Sequence, residues 1–105
     1  MILDKEFFNC ANINVEGEED KNYILEYSLT KSHHPFKTGN INYICYGVRV
    51  DLKDENEYTI ETQEMNDIFS SKEKAIEFLE LLYVEKVTPC TLSDVVKDTL
   101  INALS

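Results

Sequence analysis

Ser70-Ser71-Lys72-Glu73-Lys74-Ala75-Ile76-Glu77-Phe78-Leu79-Glu80-Leu81-Leu82 is the stretch that decides the fold. Here the apolar period changes from two residues to about 3.6, the repeat of an α-helix. Ala75, Ile76, Leu79, Leu82 and Tyr83 fall on one helical face, widened by Phe78 and Leu81. Lys72, Glu73, Glu77 and Glu80 fall on the water side. Ser70 with Glu73 reads as a capping box, which satisfies backbone N–H groups that the first helical turn leaves free. Downstream, Thr88-Pro89 ends this helix or opens the next, since proline is tolerated at a first helical position. Thr91 and Asp94 suggest a second cap. Leu92, Val95, Val96, Ile101 and Leu104, joined by Leu100, form a second apolar stripe.

Upstream the period is two. Tyr23, Leu25, Tyr27 and Leu29 share one face of a strand, and Ile24, Glu26, Ser28 and Thr30 the other. Ile44, Tyr46, Val48, Val50 and Leu52 alternate with Tyr43, Cys45, Gly47, Arg49 and Asp51. Tyr58, Ile60 and Thr62 alternate with Glu57, Thr59, Glu61 and Gln63. Such alternation is the mark of an antiparallel sheet covered on one side. Asp54-Glu55-Asn56-Glu57 reads as a hairpin turn, and Glu16 to Asn22 as a polar connection. Lys31 to Asn40, with His33, His34, Pro35 and Gly39, reads as a longer loop. The stretch from Glu6 to Val15 is less regular and reads as one edge strand. The expected fold is α+β: an antiparallel meander of about four strands, then two C-terminal helices packed on one face of the sheet.

The 105 residues have the size of a single domain, expected to span residues 1–105. A chain this long buries roughly two-thirds of its unfolded surface, enough for a core without staples. Cys10, Cys45 and Cys90 are an odd number without a Cys-x-x-Cys pair, which favours reduced thiols in the cytoplasm. The N-terminal residues lack the basic and apolar regions of an export signal. No apolar run approaches the ~20 residues of a membrane span. Twenty acids against ten bases give a net charge of −10, which repels nucleic acid and anionic membranes and attracts basic partners.

Two segments together resemble a known family: Tyr46-Gly47-Val48-Arg49-Val50, and the run from Lys86-Val87-Thr88-Pro89 through Leu92-Ser93-Asp94-Val95-Val96 to Leu100. They resemble small uncharacterised proteins of clostridia-like Gram-positive bacteria, grouped as a domain of unknown function. That family's pattern is a Tyr-Gly-aliphatic strand, a Ser-Lys-Glu helix start and a Val-Thr-Pro-x-x-Leu-x-Asp-Val-Val tail. The resemblance covers roughly residues 42 to 104. It implies a bacterial cytosolic setting and the strand-then-helix order. It implies no activity, cofactor or catalytic residue.

The candidate constellations are sparse. His33-His34 lacks a third metal ligand at telling spacing, so an ordinary loop is the plainer reading. Cys45 lies mid-strand, where a small buried hydrophobe is the default. Cys90 sits beside a helix start, where the dipole favours a thiolate, which makes it the foremost candidate for a reactive thiol, though catalysis by it is not expected. Gly17, Gly39 and Gly47 are too scattered for a phosphate loop. No enzyme and no cofactor is expected. Attention therefore turns to the uncovered sheet face, where Tyr43 and Arg49 suit a protein-binding patch. Glu57, Glu61, His33 and His34 complete the candidate binding residues. The expected function is a non-enzymatic interaction or regulatory module, monomeric or homodimeric, that binds another protein, a basic one by charge. The alternative is an acidic mimic of nucleic acid that inhibits a DNA- or RNA-binding protein, as phage inhibitors do.

Overall fold

The computed structural model describes the backbone of residues 2–15, 21–35 and 42–104, and the side chains of residues 4–13, 22–33 and 44–98. Four strands follow one another: β1 (Ile2–Val15), β2 (Lys21–Pro35), β3 (Asn42–Lys53) and β4 (Thr59–Phe69). Each pairs antiparallel with the next, so the sheet order is β1-β2-β3-β4. Helix α1 (Lys72–Glu85), a 3₁₀ turn (Pro89–Thr91) and helix α2 (Leu92–Leu104) close the chain. The expected α+β meander with two C-terminal helices is the observed fold.

The strand register decides which side chains meet. Leu25 faces Leu52, Tyr27 faces Val50 and Leu29 faces Val48, so these positions line one face of β2 and β3. Ala75, Phe78, Leu79 and Leu82 of α1 bury themselves against that face, together with Val87, Leu92 and Val96. The ring of Tyr27 is buried there, its edge against Tyr83 at 6.3 Å between centroids. Its hydroxyl donates to the Val87 carbonyl at 3.0 Å, which ties the end of α1 to the middle of the sheet. The molecule measures 59 × 33 × 18 Å, its length set by the two long strands of the first hairpin.

Four expectations are corrected. His33 and His34 belong to β2, not to a loop, because the pairing with β3 continues to Pro35 and Asn42. Helix α1 is capped by Ser71, whose Oγ accepts from the Lys74 amide, and not by Ser70. Thr91 does not cap α2: its hydroxyl donates to the Thr88 carbonyl inside the 3₁₀ turn that Pro89 opens. The phase of β4 is inverted. Glu61 stands opposite Leu52 and Gln63 opposite Val50, whereas Thr62 stands opposite Asp51. Tyr58 and Ile60 are consequently 71% and 54% exposed. A shift between Leu52 and Lys53 resets the register, and a one-residue shift exchanges the faces of a whole strand. The phase adopted lets Met65 and Phe69 reach the core and gives Asp51 and Arg49 their partners, Thr62 and Glu64.

Candidate functional site

The sheet face turned away from α1 is less solvated than its polar sequence suggests. Ser28, Thr30, Ser32 and Asp51 are all buried. Over Thr30 the face is closed by a bulge in β4. Between Tyr46↔Phe69 and Val48↔Met65, β3 advances two residues while β4 advances four, and Asp67 takes a left-handed backbone with φ of 59°. The bulge carries the Met65 carbonyl and Asn66 across Gly47 towards Thr30. A Cβ on Gly47 would stand 2.1 Å from the Met65 oxygen and 2.6 Å from Thr30 Oγ1. Small side chains on β2 and β3 permit this closure. Ser28, Thr30 and Ser32 keep hydroxyl oxygens without hydrogen-bond partners among the described residues.

Arg49 is part of this closed face. Its Nε stands 3.1 Å from both oxygens of Asp51, and its Nη1 3.6 Å from Glu64. The Thr62 hydroxyl donates to Asp51 as well, and Asn66 donates to Glu64. A buried carboxylate requires such compensation. The cluster holds β4 against β3, so the arginine is engaged within the chain.

The other candidate residues disperse. His33 lies toward the far end of the hairpin, its Nε2 4.0 Å from Asp4 Oδ2. His34 and Tyr43 are paired positions of β2 and β3 whose side chains lie outside the described residues. Cys90 is exposed, 3.3 Å from the Thr88 hydroxyl and next to no imidazole among the described residues. No group of three His, Cys, Asp or Glu among the described residues can hold a metal ion. No helix of the described residues is long and apolar enough to cross a membrane.

Glu57 and Glu61 do share a neighbourhood, at the hairpin joining β3 to β4. Asp54 builds the turn: its Oδ1 accepts from the Asn56 and Tyr58 amides at 2.9 and 3.0 Å. Glu57 completes it with a left-handed backbone, φ 66°. Glu55 reaches across the sheet and accepts from the Asn22 amide at 3.2 Å. These bonds brace the hairpin against the start of β2. Between them lies an open cleft of about 270 Å³, lined by Asn22, Tyr23, Asp54, Glu55, Asn56 and Ile60. The one cation described beside the turn, Lys53, is bound to Glu26 at 2.7 Å, which raises the lysine pKa.

Tyr23, Tyr58 and Ile60 escape the sequence reading because alternation alone assigns them to the covered face. For Tyr58 and Ile60 the signal is the position of the turn. Once Asp54 closes the hairpin onto Tyr58, the strand begins later, and the positions paired with Leu52, Val50 and Val48 become Glu61, Gln63 and Met65, the first two of them exposed.

Fold and surface together define a small acidic α+β domain: a four-stranded meander, one face under two helices, with an apolar patch exposed at a hairpin. The chain belongs to a family of unknown function (DUF6514), whose model matches residues 6–102. No curated protein and no solved structure matches it.

Proposed function

We propose that this protein is a non-enzymatic interaction module of the bacterial cytoplasm, working without a cofactor, which binds another protein through the β3–β4 hairpin end. One observation carries the reading: Tyr58 and Ile60, two residues apart in the chain, are both exposed on a hairpin that is otherwise strongly braced. An aromatic and an aliphatic residue on a rigid support suit a contact that loses little entropy on binding. The mimic of nucleic acid fits less well. It needs carboxylates in duplex-like rows, whereas those described lie on both sheet faces, at the turn and along α1.

A photo-cross-linking residue at position 58 tests the reading in cells. The expected result is one predominant adduct, absent when Ile60→Ser is added. Adducts that survive Ile60→Ser, or that appear equally from position 84 on the far side of α1, would sink it.

A further inference from the structure

The cleft at the hairpin end allows the partner's chemistry to be stated, given that the interaction reading holds. We infer that the cleft receives an arginine or lysine side chain from an extended basic segment of another protein, whose apolar neighbours cover Ile60 and Tyr58.

Size is the first argument. At about 270 Å³ the cleft is smaller than the roughly 300–1,000 Å³ of most small-molecule sites. It suits a side chain better than a cofactor. Its walls are the second. Tyr23 and Ile60 give apolar contact for an alkyl stem, and Asp54 and Glu55 give acceptors for a cationic head. The bonds to the backbone of residues 56, 58 and 22 occupy one oxygen of each of these two carboxylates. They hold the groups in place without using them up.

Charge complementarity is the third argument. Glu57 and Glu61, next in sequence to the lining residues Asn56 and Ile60, make no ion pair among the described residues. Glu57 acts on Lys53 only through space. Lys53 itself is held by Glu26. Among the described residues the carboxylates at the cleft therefore outnumber the cations, on a chain of net charge −10. A second copy of this chain would bring the same charge and be repelled. A basic segment is drawn in, and the exposed apolar pair makes the contact more than an ion atmosphere.

The probe is a fluorescent peptide of about eight alternating arginines and valines, an extended basic segment of the kind a sheet edge accepts. Its counterpart carries glutamine for arginine. Both are titrated into the full ¹⁵N-labelled chain at about 0.15 M salt, where long-range attraction is largely screened. The arginine peptide is expected to shift the amides of residues 22–23 and 54–61. Affinity is expected to fall about tenfold with the glutamine peptide and about tenfold with Ile60→Ser or Tyr58→Ser. Glu73→Gln with Glu80→Gln on α1, which removes two negative charges away from the cleft, is expected to change affinity by no more than about twofold. Both apolar substitutions are at exposed positions, and unchanged amide shifts outside the hairpin end show that the variants fold.

Three results would overturn the inference. Equal binding of the glutamine peptide at residues 54–61 removes the basic partner and leaves the interaction reading intact. Shifts spread over α1, with Ile60→Ser binding normally, reduce the effect to diffuse charge. Shifts at residues 22–23 and 54–61 that depend on protein concentration alone identify a second copy as the occupant.

Discussion

Gly47 shows how one residue controls the closed face. Its missing Cβ is the space that the β4 bulge occupies. An added carbon would meet the Met65 carbonyl, Thr30 Oγ1 and the Asn66 Cα, two of them backbone atoms that no rotamer change can move. Gly47→Ala is expected to cost about 3 kcal/mol, the upper range for overpacking, measured as a fall in the urea midpoint. An unchanged midpoint would mean that the bulge does not lie over Gly47. Tyr27 controls the other face. Burial raises its phenol pKa from 10.0 to about 12. A raised folded pKa means that the folded state holds the proton more tightly than the unfolded chain. The stabilisation is complete below pH 10 and is lost as pH rises towards 12. Tyr27→Phe is expected to lower stability at pH 7 by about 1 kcal/mol, because the Val87 carbonyl loses its donor. It is also expected to remove a share of the decline above pH 10. A decline of the same size in both proteins would assign it to other groups.

At the scale of elements, the clearest test is the end of α1. Lys86 takes a left-handed backbone, φ 53° and ψ 49°, with its amide towards the Leu82 and Tyr83 carbonyls, and the Val87 amide bonds Leu82 as well. Glycine is the residue this cap favours. Lys86 is exposed and makes no ion pair among the described residues. Lys86→Gly is therefore expected to raise the thermal midpoint, by roughly 0.5–1 kcal/mol of stability. A fall would show that the lysine makes a contact of its own. The same scale explains what the sequence disclosed. Elements with a long, clean period were legible: Leu25 to Leu29, Tyr46 to Leu52 and Ala75 to Leu82 pack as their spacing predicts, apart from exposed Leu81. Features set by register between strands were not. The inverted phase of β4 follows from a shift at Lys53 and a bulge at Asn66, and neither has a period to read. Cap positions moved by one residue at Ser71 because two adjacent serines offer the same chemistry. The candidate site was legible only through Glu57 and Glu61. Tyr58 and Ile60 carry an apolar signature that sheet-facing residues share, and only the turn at Asp54 tells them apart.

At the scale of the whole molecule, charge acts on stability and on binding with opposite consequences. At about 0.01 M salt the Debye length is roughly 30 Å, so most of a molecule 59 × 33 × 18 Å feels its own net charge of −10. At about 0.15 M that length is roughly 8 Å, and only near neighbours interact. The described ion pairs include a short one, Lys53–Glu26, and the partly buried Arg49–Asp51 contact, which salt screens less than an exposed pair. Stability is therefore expected to rise between these two salt concentrations as self-repulsion is removed. Glu61 contributes to that repulsion without a compensating partner among the described residues. Glu61→Gln should accordingly gain a few tenths of a kcal/mol at low salt and nothing at the higher salt. Binding of a basic segment should respond in the reverse sense, weakening with salt and with Glu61→Gln. Urea midpoints and peptide titrations of both proteins at the two salt concentrations measure the pair of trends. A carboxylate that only solubilises the chain would leave binding unchanged on neutralisation. One that serves the cleft lowers stability at low salt and raises affinity, and this opposition of sign is what solubility alone does not produce.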